Sequence, residues 1–106
     1  MTYKNLGQIE SALTTIEDVY TVPSGKSAVV SSIVLCNTTN DVAYVRVSHA
    51  IAGATSNDKQ FLYYDIPLPS NNTFIATIGV TMASDDTLRL YSSVAGVAMN
   101  VYGNEI

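Results

Sequence analysis

The sequence predicts an all-β protein: an antiparallel β-sandwich, jelly-roll or immunoglobulin-like, with about eight short strands in a single domain. Three observations carry this. Apolar runs of strand length recur along almost the whole chain, with turn residues every ~8 to 12 positions, the spacing of a sandwich or barrel. No stretch keeps helical apolar spacing over even three turns. At 106 residues there is room for one core, and a domain this size buries roughly two-thirds of the surface its unfolded chain exposes.

The elements follow in order. Residues 1–16 form an N-terminal segment or arm, ahead of a sandwich domain spanning 17–106. Within the arm, Asn5 to Ile9 reads as a short strand, while Ile9 to Leu13 equally fits the start of a helical turn. Val19-Tyr20-Thr21-Val22 is an alternating β-branched run that Pro23-Ser24-Gly25 stops, since Pro fixes φ and Gly accepts φ > 0. Lys26 to Asn37 is the longest strand candidate. Strict alternation puts Val29, Ile33 and Leu35 on one face and Ala28, Val30, Val34 and Cys36 on the other, as for a strand covered on both sides. After the polar turn Asn37 to Asp41, Val45, Val47 and Ile51 share one face of the next strand, and Tyr44, Arg46 and Ser48 the other.

Ala52 to Asp58 is the most loop-like stretch, a place for mobility or partner contact. Phe61 to Ile66 resumes the strand pattern until Pro67-Leu68-Pro69, because Pro cannot donate to a ladder. Ser70-Asn71-Asn72 turns into a strand over Thr73 to Thr81, with Phe74, Ala76, Ile78 and Val80 on one face. Past Ala83 to Asp86, Leu88, Leu90 and Val94 alternate with Arg89, Tyr91 and Ser93, and Gly96 precedes a last strand over Val97 to Tyr102.

Composition narrows function. The chain is 47% hydrophobic and 13% charged, about half the usual ~25% charge, which suits faces covered by neighbours. Net charge is −4, and Lys4, Lys26, Arg46, Lys59 and Arg89 are scattered, so no basic stripe exists to neutralise phosphates and nucleic acid is not an expected partner. No apolar stretch reaches the ~20 residues of a spanning helix, so no membrane partner is expected either. The start, Met1-Thr-Tyr-Lys-Asn, lacks the layout of a signal peptide, which predicts a product that is not secreted. The lone Cys36, in an apolar run with no cation beside it, reads as a small buried hydrophobe.

Candidates for chemistry are few. His49 is the only histidine, which excludes a site built on two or three imidazoles. Its neighbour Ser48 points to the opposite face of the same strand, so the two do not make a nucleophile–base pair. Asp85-Asp86 and Asn57-Asp58 are better read as turn residues than as calcium ligands. The expectation is a protein that is not an enzyme and holds no cofactor and no metal. Tyrosine is the aromatic in excess, seven against two Phe and no Trp, and its apolar ring with a polar tip suits protein contacts.

The run Tyr20-Thr-Val-Pro-Ser-Gly-Lys-Ser-Ala-Val-Val-Ser-Ser-Ile-Val-Leu-Cys-Asn37 resembles small virion structural proteins of tailed bacteriophages, in which such a turn opens a long apolar strand. Tyr64-Asp65-Ile66-Pro67-Leu68, Leu88-Arg-Leu-Tyr91 and the ending Tyr102-Gly103-Asn104-Glu105-Ile106 are similar too, so the resemblance covers roughly residues 19 to 106. It implies a small antiparallel sandwich that assembles, often as trimers or rings, on a phage particle. The expected partners are copies of itself, with a trimer favoured, and the major capsid protein or other virion proteins. The expected location is the virion, after synthesis in the host cytoplasm. Capsid decoration is the first reading, a neck, baseplate or tail-fibre attachment subunit the alternative, and a host-surface carbohydrate-binding module the second alternative. Alternation selects Tyr44, Arg46, Tyr63 and Tyr91 as contact residues, together with the loop Gly53, Ala54, Thr55, Ser56, Asn57, Asp58 and Lys59.

Overall fold

A computed structural model describes residues 2–106; residue 1 of the N-terminal segment lies outside the described residues. The strands are β1 (Thr2–Glu10), β2 (Glu17–Thr21), β3 (Ala28–Asn37), β4 (Ala43–Ala50), β5 (Phe61–Leu68), β6 (Thr73–Ala76), β7 (Val80–Met82), β8 (Thr87–Ser92) and β9 (Val97–Glu105). The arm, open between strand and helical turn in the sequence, is the strand β1, paired along β9. The single run expected over Thr73 to Thr81 breaks at residues 77–79 into β6 and β7.

Two antiparallel sheets result. Sheet A has the order β1-β9-β3-β6 with β7 also on β3, and sheet B the order β2-β8-β4-β5. β6 and β7 pair with successive stretches of the same edge of β3, Ile33 to Cys36 and Ala28 to Val30, so they act as one interrupted strand. Counted that way the described residues form eight strands. The first pairs with the last, the second with the second-last, the third with the sixth and the fourth with the fifth. Further pairs, β3 with β9 and β4 with β8, wrap this ribbon onto itself. That nested pairing is a jelly roll, which decides between the two sandwich topologies the sequence allows.

Between the sheets lie the fully buried side chains Val30, Ile33, Leu35, Val45, Val47, Leu88, Leu90, Met99 and Val101. Each large aliphatic buried this way contributes about 1.5–3 kcal/mol. Strict alternation fails on β3: Ala28, Val30, Ile33 and Leu35 all face the core. The reason is a bulge at Ser31, where the register against β9 slips between Val30 and Ser32. One extra residue flips every later side chain to the other face. Val34 and Cys36 therefore lie half-buried on the outside of sheet A, and Cys36 is not the core hydrophobe its apolar neighbours suggest. Ile51 is a second correction. β4 ends at Ala50, and Ile51 opens a 3₁₀ turn and is exposed instead of joining Val45 and Val47.

The sandwich closes at both sides. At one, β1 crosses so near β2 that a Cβ on Gly7 would collide with the Val19 carbonyl oxygen. At the other, the Tyr63 and Phe74 rings meet edge to face at 5.4 Å and join β5 to β6. A polar tie crosses the core's end, where the Tyr20 hydroxyl donates to Glu105 Oε2 at 2.8 Å. Lys4 and Lys26 lie 3.5 and 3.7 Å from Glu105 Oε1. The Tyr20 hydrogen bond, helped by the two lysines, holds the Glu105 carboxyl below its ordinary range. Burial first, then the Glu105 carboxylate, pushes the Tyr20 phenol well above its own.

Candidate partner-binding surface

The outer face of sheet B is built by alternation on β4 and β8, which places Tyr44, Arg46 and Ser48 beside Ser93, Tyr91 and Arg89. On β5 the alternation is interrupted. Val45 faces Ile66 and Val47 faces Tyr63, so the two residues Tyr64 and Asp65 stand against the single Arg46. Asp65 takes φ 52°, a left-handed conformation that Asp tolerates better than most residues. A second slip, at Leu62, brings Phe61 beside Ser48 on the same outer face.

Arg46 is fixed from several sides. Its Nε donates to Asp65 Oδ1 at 2.7 Å and Nη2 to Oδ2 at 3.3 Å, a two-pronged ion pair. Its guanidinium lies 4.2 Å from the Tyr64 ring centroid and 4.4 Å from that of Tyr91. Phe61 meets Tyr64 edge to face at 5.0 Å. The Asp65 hydrogen bond raises Arg46 above its ordinary pKa, so the cation is permanent.

The loop between β4 and β5 covers the rest of this face. It contains two 3₁₀ turns, Ile51–Gly53 and Asp58–Gln60, the second capped reciprocally by Asn57 and Gln60. Arg89 holds it down: Nη1 donates to the Ala54 carbonyl at 2.8 Å and Nη2 to that of Gly53 at 3.3 Å, while Nε donates to Asp18 at 2.8 Å. Ala52 N–H donates to Asp86 Oδ1 at 2.9 Å. Asp86 Oδ2 accepts from Ala83 N–H at 3.0 Å and lies 2.9 Å from His49 Nε2. Burial alone opposes the Asp86 charge, but these bonds outweigh it and the carboxyl lies below its ordinary range. Under the loop Ser48 is buried, and its Oγ has no hydrogen-bond partner among the described residues, so it is not engaged with His49.

Of the residues that alternation selects, Tyr44, Arg46 and Tyr91 share this face, and the loop 53–59 lies beside them. Ser56 meets Arg46, Phe61, Tyr91, Thr14 and Ile16 around a shallow depression of about 220 Å³. Tyr63 is not part of it: the double residue at 64–65 turns Tyr63 toward the core and Tyr64 outward. Tyr64, Asp65, Phe61 and Arg89 belong to the surface and were not selected by alternation. The signal that finds Tyr64 and Asp65 is the polar Asp inside an otherwise aromatic run, which marks a bulge on an edge strand. Asp85-Asp86 is turn chemistry as expected from its type, yet Asp86 is also the carboxylate partner that the sequence neighbourhood of His49 lacks.

No protein-family model matches the chain, and no curated protein matches it. The fold and this surface define a small jelly-roll sandwich whose outer sheet face presents a fixed arginine among tyrosines.

Proposed function

We propose that this chain is a non-enzymatic structural protein of a phage particle, decorating or cementing the outside of the capsid through contacts with copies of itself and with the major capsid protein. The observation that carries the reading is Arg46, clamped by Asp65 between Tyr64 and Tyr91 on the outer face of sheet B. Tyr and Arg carry most of the energy at protein interfaces, and a side chain already immobilised loses little entropy on binding. Low charge and the resemblance over residues 19 to 106 support the same reading. Burial of the aromatic face would supply about 25 cal/mol per Å² before association costs are subtracted.

The test is co-sedimentation of the purified chain with intact tailed-phage capsids that lack it, compared with isolated tails. Saturable binding in many copies per capsid, weakened at least about 10-fold by Arg46→Ala, supports the reading. Binding confined to the neck or tail moves the protein to the tail. Absence of binding to either, with retention on immobilised glycans, replaces a virion role by carbohydrate binding.

A further inference from the structure

The outer face of sheet A differs in kind from that of sheet B. Tyr3, Val29, Ile75 and Tyr102 are 77%, 38%, 60% and 40% exposed there, with Val34 half-buried between Ile75 on β6 and Asn100 on β9. These exposures leave the face open, whereas the loop 51–60 lies over sheet B. The fourteen charged residues nearly all avoid it (nine acidic plus five basic). Among the described residues, by register, only Glu10, opposite Ala98 at the end of β1, falls on this face. Lys4 and Glu105, in the same two strands, turn to the other side and pair at 3.5 Å. The amides in the middle are hydrogen-bonded to one another, since Asn5 and Gln8 both donate to Asn100 Oδ1 at 3.1 and 2.7 Å.

We propose that this face is the self-association surface, on which a second copy of the chain packs sheet to sheet about a two-fold axis. Two arguments choose a second copy as the occupant. The first is charge. Each copy carries −4, so approach through a charged face sets like charges together, whereas this face brings to its own copy a single carboxylate, Glu10, at its corner where β1 ends. The second is area. Four strands spaced ~4.8 Å apart, the longest the 10 residues of β3, make a plane of at most roughly 600 Å² before side-chain relief. That approaches the ~800 Å² per partner of a standard stable interface. Stacked sheets of this kind pack about 10 Å apart with strands within about 30° of alignment.

The inference deepens the self-assembly part of the proposed function and rests on it. It is tested by light scattering behind a sizing column from about 5 to 200 µM, a span that brackets a micromolar dissociation constant. The expected mass is twice 11.3 kDa. Ile75→Glu is expected to weaken the dimer at least about 100-fold, by burying a carboxylate opposite its own copy, with an unchanged circular dichroism spectrum. Leu13→Glu, exposed in the turn after β1 and outside both sheet faces, is expected to leave the dimer intact, and Tyr44→Glu probes sheet B as the competing surface. Tyr3→Glu, at the most exposed position, replaces Ile75→Glu if that variant does not fold. A wild-type chain that stays monomeric at the highest concentration overturns both this surface and the self-assembly reading. An oligomer insensitive to both sheet A charges but dissociated by Tyr44→Glu overturns only this surface. A trimer or ring that Ile75→Glu dissociates overturns the two-fold arrangement.

Discussion

Tyr64 and Asp65 are consecutive in the chain, yet both side chains reach Arg46, one stacking on its guanidinium and the other pairing with it. In a regular strand they would face opposite ways. The bulge that sets both against one residue of β4, with Asp65 at φ 52°, lets a single strand supply an aromatic wall and a counter-charge together.

A double-mutant cycle on Arg46 and Asp65 is therefore expected to give a coupling of about 0.5–1 kcal/mol, because both side chains are partly exposed. Molar salt should reduce it. Asp65→Asn, which tolerates φ > 0, is expected to lose only this coupling, whereas Asp65→Val adds about 1–3 kcal/mol of backbone strain. Urea unfolding midpoints read all three. Equal costs for Asn and Val would mean that the bulge relaxes on substitution.

The same bulge marks where sequence reasoning stops. Alternation places Tyr44, Arg46 and Tyr91 correctly because β4 and β8 pair with no slip from Val45 to Ala50. It misplaces Val30 relative to Ile33, and turns Tyr63 outward in place of Tyr64, because each pair straddles an extra residue. A bulge is set by the partner strand as much as by its own residues, and the pairing partner is not written locally. The jelly roll was legible only as a sandwich, since pairings such as β1 with β9 join residues from opposite ends of the chain. His49 and Asp86 are 37 positions apart, and no local pattern links them.

Asp86 and Glu105 both have carboxyls held below their ordinary range, at the same end of the sandwich, where β3 begins and β9 ends. For such groups the stabilising contribution is present above the unfolded value of about 4 and is lost as pH falls through it toward the folded value. Stability is thus expected to decline below about pH 4.5. Asp86→Asn should cost about 2 kcal/mol at pH 7, since it weakens acceptance from Ala52, Ala83 and His49, and should flatten the acid limb. Thermal unfolding from pH 2 to pH 8 measures this; an unchanged acid limb in the variant would remove Asp86 from the account.

Tyr20 works in the opposite sense. Its phenol is raised, so its contribution is full below the unfolded value of about 10 and is lost as pH climbs above that. Tyr20→Phe should cost about 1 kcal/mol at neutral pH through the lost bond to Glu105 and should postpone alkaline unfolding. Absorbance at 295 nm follows the ionisation, and the latest-ionising step should vanish in the variant.

Gly7 holds β1 against β2 because no side chain fits between it and the Val19 carbonyl. Gly7→Ala is expected to destabilise by about 2–3 kcal/mol, the upper part of the ~1–3 kcal/mol typical of overpacking, because the collision is with backbone. It should also speed amide exchange along β1 more than along β3. Uniform loss of protection across both strands would show that β1 does not open separately.

Arg89 decides how the loop over sheet B is held. Its fork reaches two consecutive carbonyls, Gly53 and Ala54, while Asp18 fixes the Nε edge. Lysine keeps the charge but has no planar fork to span both oxygens. Arg89→Lys should therefore weaken the loop's attachment by about 1.4 kcal/mol, which makes local opening about 10-fold more frequent. Lys59 lies in that loop and offers trypsin a cleavage site that needs such opening. Cleavage after Lys59 in the native protein should accelerate about 10-fold while the urea midpoint moves little. A rate unchanged from wild type would mean that the Asp86 bond to Ala52 and the Gln60 bond to Thr55 hold the loop without Arg89.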